Sequence, residues 1–204
     1  MTSAASPIDG PVDGRNLRAA RNRDAVVLAI LSLYAEGELR PGAAAIAARA
    51  GVSQSSVFRH FKDIEALVQA AVEAQWELQH DRFAPPPPGG SREERVAALV
   101  EQRLALHDAV GNASRAARVN FPESPTLQRM LDLRRALLRD QVADQFAVEL
   151  GRRDALTREV LLDALDAACG LEQLEYLRVD RGLTREQARD VVTFTMRALL
   201  RKGT

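Results

Sequence analysis

Residues 43–61 read AAAIAARAGVSQSSVFRHF, the grammar of two short helices joined by a tight turn. Ile46, Ala47 and Ala50 make an apolar stripe at i, i+1, i+4, the inner face of a first helix. Gly51 stops that helix, because glycine takes the left-handed C′ conformation without strain. Val52 plugs the corner, and Ser53 is a good N-cap for a second helix starting at Gln54. Val57 and Phe61, four apart, face inward, which leaves Gln54, Ser55, Ser56, Arg59 and His60 pointing out. An outer face of hydroxyls, amide, guanidinium and imidazole suits a DNA groove. A helix, a glycine turn and a second helix also occur widely in all-α proteins, so the bare pattern leaves both readings open.

The longer run IAARAGVSQSSVFRHFKDIEALVQAAV, from Ile46 to Val72, narrows the choice. It resembles the helix-turn-helix signature of the tetracycline-repressor (TetR) family, with Ala50-Gly51-Val52-Ser53, His60-Phe61 and Glu65-Ala66-Leu67 in register. It also departs from that signature. Arg40-Pro41-Gly42-Ala43 stands where a threonine often caps the first helix, Ser55-Ser56 replaces Gly-Thr, and Phe58 replaces the usual tyrosine, removing one phosphate-contacting hydroxyl. The resemblance implies an all-α chain of about nine helices. A three-helix DNA-binding head would be joined through a fourth helix to a C-terminal helical domain for ligand binding and dimerisation. On this chain that maps as a disordered tail over 1–14, a head over 15–62 and an effector-binding and dimerisation domain over 63–204.

Composition agrees with helices: apolar residues make up 46% of the 204 and aromatics only 4%. The formal net charge is zero, which at first argues against a nucleic-acid partner. The distribution says otherwise, since residues 15–62 hold eight Lys/Arg against three acids. A basic head on a mildly acidic body is the asymmetry expected of a DNA binder. Cys169 is the only cysteine, so no intrachain disulfide is possible and a reducing cytoplasm is the expected home. There is no signal-peptide pattern and no apolar run of membrane-spanning length.

The first helix is expected over about 15–36, with Val27, Leu28, Leu31 and Tyr34 on its inner face. Arg15, Arg18, Arg21 and Arg23 crowd its first turns, against the helix dipole. Phosphates would explain that cluster, and a solvated charged end would too. Asp63 caps a fourth helix with Ile64, Leu67, Val68, Ala71 and Val72 as its core stripe. Pro85-Pro86-Pro87-Pro88-Gly89-Gly90 then breaks the chain. Ser91 and Glu94 form a capping box for a helix to about Val110, followed by a short one over 112–119. After the Phe121–Pro125 punctuation come a long helix to Gly151, one over about 154–179, and one over 184–202 opened by a second capping box at Thr184.

Three stripes in this second half mix apolar and polar residues at spacings of 4, 3, 4: Val96, Val100, Arg103, His107; Arg134, Leu138, Gln141, Gln145; and Leu165, Cys169, Glu172, Tyr176. The resemblance implies a pocket here for a small, largely apolar effector, with Arg103, His107, Arg134, Gln141, Cys169, Glu172 and Tyr176 as candidate ligand residues. Ordinary helix-edge salt bridges, such as Arg103 with Glu172, are the other reading. Ala164, Ala167 and Leu171, with Val191, Phe194 and Ala198 on the last helix, look like half of an intermolecular four-helix bundle. A helix packed within its own domain would read similarly.

Nothing in the chain points to catalysis. His60, His80 and His107 are scattered, no paired-cysteine or HExxH spacing occurs, and no phosphate loop or GxSxG nucleophile motif is present. No cofactor or metal is expected. The reading is a TetR-like transcriptional regulator, a repressor binding a palindromic double-stranded DNA operator as a homodimer and released by a small effector. Its DNA contacts would be Gln54, Ser55, Ser56, Phe58, Arg59, His60 and Lys62, with Arg15, Arg18 and Arg21 on phosphates. A constitutive architectural DNA binder and an activator are the alternatives.

Overall fold

The computed structural model describes residues 14–87 and 89–201, and among these every regular element is helical. The tail expected over 1–14 lies outside them except for Gly14, which opens the first helix. Two compact units divide after Ala71.

The first unit holds α1 (Gly14–Ala35), α2 (Ala43–Ala50), α3 (Gln54–His60) and the opening turns of α4 (Ile64–Gln79). Its interior is Val26, Val27, Ile30, Leu33 and Tyr34 from α1, Ile46 and Ala47 from α2, Val57 from α3, and Phe61. Burying each of the larger of these side chains contributes roughly 1.5–3 kcal/mol. The inner face of α1 is therefore rotated from the expected one. Leu28 is 55% exposed and Leu31 only half-buried, because a stripe through 26, 27, 30, 33 and 34 brings more apolar volume inward. The expected border at 62/63 moves as well. Leu67, Val68 and Ala71 are fully buried, which makes the first two turns of α4 part of this unit's interior.

Across the surface of the unit, Arg49 of α2 grips Glu36, just beyond α1, through both terminal nitrogens at 2.6 and 2.8 Å. The same guanidinium reaches Ser32 Oγ at 2.6 Å. Glu36 is held below the usual carboxylate range by that bond to Arg49.

The second unit holds the rest of α4, a tight turn over His80–Phe83, and then α5 (Arg92–Asn120), α6 (Pro125–Gln145), α7 (Ala147–Leu150), α8 (Ala155–Cys169), α9 (Leu171–Glu175) and α10 (Arg185–Leu199). If α7 is taken as the coda of α6, the described residues give nine helices, as expected. Both capping boxes form: Ser91 Oγ accepts from the Glu94 N–H at 3.2 Å, and Thr184 Oγ1 from the Gln187 N–H at 3.2 Å.

Three helix boundaries depart from the sequence reading. First, α5 runs unbroken through Gly111 and Asn112, where a gap was expected. Ala113, Ala116 and Ala117 are buried just beyond, and their packing outweighs the roughly 1 kcal/mol that a helical glycine costs. Second, the helix expected to reach Gly151 stops at Gln145, where Phe146 leaves helical geometry and buries its ring completely. Third, the helix expected over 154–179 breaks at Gly170, whose backbone is extended at φ −63° and ψ 156°. Beyond it, α9 runs into a wider helical turn over Tyr176–Asp180. The core joins Leu99, Leu104, Val142, Phe146, Leu165, Leu174, Val192 and Met196, with a smaller cluster of Phe83, Leu106, Val110 and Leu138 beside it.

Candidate functional site

The turn between α2 and α3 is built as its residues demand. Gly51 sits at φ +68°, and the Val52 N–H bonds back to the Ala47 carbonyl at 3.0 Å, closing α2. Ser53 has an extended backbone and its Oγ accepts from the Ser56 N–H at 3.3 Å, opening α3. The same Oγ lies 2.9 Å from Ser55 Oγ and 3.0 Å from Ser56 Oγ. Arg59 Nη2 donates to Ser56 Oγ at 3.2 Å. One of the five N–H donors of Arg59 is thus committed along the helix, and the side chain remains exposed among Gln54, Ser55 and Phe58. Val57, 1% exposed, anchors the opposite face. What results is a short, capped helix with a polar exposed side.

Around it, Arg18 and Arg21 are exposed on α1, and Lys62 is 82% exposed with Nζ 3.7 Å from Asp63. Asp63 itself caps α4 by accepting from the Ala66 N–H at 2.7 Å. Arg15 lies in α1, but its side chain is outside the described residues. Two basic or polar groups are placed differently from the sequence reading. Arg23 lies over the Phe61 ring at 5.1 Å, a cation–π contact inside the unit. His60, expected to point out, is half-buried with Nε2 shut away from solvent and without a partner.

In the second unit a cleft of about 350 Å³ opens between α5, α6 and the α8–α9 break. Leu131, Leu138, Ala167 and Leu171 give it apolar walls, and Ser114, Arg118, Arg134, Arg135, Asp166 and Glu172 supply polar groups. Burial alone would raise the Glu172 carboxyl, but Arg135, donating at 2.8 and 3.0 Å, holds it low. Burial pushes Asp166 up and lowers Arg134 to about 10. Deeper in the unit, Arg103 is 1% exposed and donates to Gln141 Oε1 at 2.9 Å and to the Leu138 carbonyl at 2.7 Å.

Residues 33–71 match the family model described as bacterial regulatory proteins, tetR family. That segment is similar to the N-terminal domain of tetR-family regulators. Whole-chain comparison finds the same fold in a tetR-family transcriptional regulator from Streptomyces coelicolor, at 19% identity and TM-score 0.68, covering 89% of this chain and 87% of that one. A transcriptional regulator from Rhodococcus sp. Rha1 is similar at 20% identity and TM-score 0.68, with 87% and 95% covered. GusR of Salmonella enterica aligns at 19% identity and TM-score 0.58, with 87% and 93% covered. No curated protein matches. The fold is thus the one seen in tetR-family transcriptional regulators, and no helix among the described residues is long and apolar enough to cross a membrane.

Within the TetR fold the candidate ligand residues do not gather in one place. Arg134 and Glu172 line the cleft, whereas Arg103 and Gln141 belong to the buried network. Cys169 is fully buried in the core, and burial pushes its thiol up to about 11, leaving an inert group. His107 is half-buried, 3.9 Å from Asp108, and Tyr176 is 45% exposed. The Leu165–Tyr176 stripe fails because Gly170 interrupts the helix on which it was drawn. The alternative pairing of Arg103 with Glu172 is also absent, since Arg135 and Arg118 take Glu172. Among the candidate dimer residues, Val191, Phe194 and Ala198 are exposed and Ala164 is half-buried. Ala167 and Leu171 instead line the cleft. Sequence reasoning missed Leu131 and Arg135, although Leu131, Arg134, Arg135 and Leu138 recur at i, i+3, i+4, i+7 on α6. Among the described residues no three His, Cys, Asp or Glu side chains gather as a metal site.

Proposed function

We propose that this chain is a ligand-responsive repressor that binds a palindromic operator as a homodimer and is released by a small molecule. The observation that carries the reading is the exposed, serine-buttressed Arg59 on a two-turn helix whose other face is locked by Val57. Gln54, Ser55, Ser56 and Arg59 would meet base edges, and Lys62, Arg18 and Arg21 would hold phosphates and set the register. Arg15, Phe58 and His60 complete the proposed contact set, Phe58 by apolar contact.

Exposed apolar side chains on α8 and α10 support the dimer. Leu156 is 76% exposed, Val160 61% and Phe194 73%, a concentration unusual for a surface that stays wet. Two such faces meeting would form a four-helix bundle, with Ala164, Val191 and Ala198 allowing close approach. The cleft beside Arg134 and Glu172 is of a size suited to a small effector. By linkage, an effector that weakens DNA binding is itself bound more weakly by the DNA-bound protein, by the same factor.

The test is selection of bound sequences from a random DNA pool by the purified chain. The expected product is a palindrome with half-site centres about 34–36 Å apart, bound by a dimer. Enrichment of no palindrome, or binding by a monomer, would overturn the reading. Loss of that binding on adding a small molecule separates a regulator from a plain architectural binder.

A further inference from the structure

We propose that the α5–α6–α8 cleft takes a ligand with a carboxylate on an apolar body, and that Arg134 is the group that receives the carboxylate. This deepens the effector reading above and rests on it.

Arg134 is 7% exposed, and its guanidinium sits 5.6 Å from the Trp76 ring and 6.0 Å from the Phe83 ring. Nη2 donates to the Val72 carbonyl at 2.7 Å, while Nη1 is buried with no hydrogen-bond partner. No carboxylate pairs with Arg134 among the described residues. A guanidinium cannot discharge to escape burial, so a buried, unneutralised one is expensive for the fold.

The other buried arginine shows the usual solution. Arg103 spends Nη1 and Nη2 on Gln102, Gln141 and the Leu138 carbonyl, leaving only Nε without a partner. The remaining cleft arginines are engaged too, Arg118 with Glu175 and Arg135 with Glu172. Of the three cleft arginines, Arg134 is the one that no carboxylate pairs among the described residues.

Charge also selects the side from which a ligand meets it. The cleft carries three arginines against two acids, Asp166 and Glu172, and Glu172 is already paired. Arg134 also borders an open groove with Trp76, Met130, Leu133 and Leu137, but there Glu73 and Glu77 are the other charged groups and would repel an anion. The walls of the cleft at Leu131, Leu138 and Leu171 then suit the ligand's apolar part. A carboxylate meets a guanidinium through short, charge-assisted bonds, which a hydroxyl or amine of the same length does not reproduce.

The experiment uses the full chain and three eight-carbon probes below their aggregation limits: octanoate, octan-1-ol and octylamine. Calorimetric titration should give octanoate roughly tenfold tighter binding than either of the others. Arg134→Gln should abolish that preference, and Arg134→Lys should restore part of it. Octanoate that fails to bind, or binds no better than octan-1-ol to the wild-type chain, overturns the proposal even if the variants do not fold. A preference that survives in folded Arg134→Gln overturns it as well. Operator binding followed in parallel keeps the two readings apart. Octanoate that binds through Arg134 without altering operator affinity overturns the effector reading and leaves the anion site standing. Release by octan-1-ol as readily as by octanoate does the reverse.

Discussion

Arg95 of α5 donates to the Glu149 carboxylate of α7 at 2.6 and 3.0 Å, and its guanidinium lies 5.6 Å from the Phe146 ring. The two side chains are only 12% and 13% exposed, so removing either partner strands a charge in a poorly solvated place. Glu149→Ala should lower stability by about 2–4 kcal/mol, read as a reduced urea midpoint at constant slope. Burial pushes the Glu149 carboxyl up, but Arg95 outweighs it and the net shift is downward. The contribution is therefore complete above the unfolded carboxylate value of about 4.3 and is lost as pH falls through the folded value. An unchanged midpoint would show that the pair is idle.

Base reading and phosphate holding by the head should separate experimentally. Arg59→Ala is expected to cost roughly 1–3 kcal/mol per half-site on the selected operator and to relax preference at one position. Lys62→Ala should weaken all sequences alike and reduce the slope of log affinity against log salt by about one per half-site. Equal losses on operator and random DNA for Arg59→Ala would move it to the phosphate group.

Phe194 is 73% exposed on α10, facing the same way as Val191 and Ala198 at helical spacing. A charge there should leave the fold intact and prevent self-association. Phe194→Glu is expected to sediment as a monomer and to lose operator affinity steeply, because one head engages one half-site. A dimer of unchanged mass would place the partner surface elsewhere.

Burial pushes the His107 imidazole below its ordinary value, more than the nearby Asp108 raises it. The unfolded chain therefore takes up this proton more readily than the folded one. Stability from a neutral His107 is full above about pH 6.5 and declines as pH falls below it. Between pH 7.5 and 5.5 the wild-type melting temperature should drop further than that of His107→Gln. Parallel curves for the two proteins would remove His107 as the cause.

What was legible in the sequence depended on how local its cause was. The α2–α3 turn follows from one glycine at φ +68° and one capping serine, rules that need no partner from afar, and the structure carries both. The capping boxes at Ser91 and Thr184 are local in the same sense. The face of α1 was misjudged by one position, since 27, 28, 31 and 34 and 26, 27, 30, 33 and 34 are both helical stripes and only the surrounding core chooses between them. The stops at Phe146 and Gly170 were hidden for a related reason. The first is set by a ring finding room in the core, and the second falls at a glycine whose missing side chain leaves room beside the Asp166 carbonyl. The cleft's own residues stayed dispersed because they come from α5, α6 and the α8–α9 break, which no single helical stripe joins.

Gly170 does not supply a backbone shape forbidden to other residues, since φ −63° and ψ 156° are open to any of them. It supplies missing volume: a Cβ there would stand 3.2 Å from the Asp166 carbonyl oxygen and 3.9 Å from Glu172 Oε2. The chain is thereby jointed between a rod bearing the exposed Leu156 and Val160 and a short segment bearing Glu172 and Gln173 at the cleft. Even a methyl group at position 170 would press on the Asp166 carbonyl, so that one of the two segments would have to give by a few tenths of an ångström.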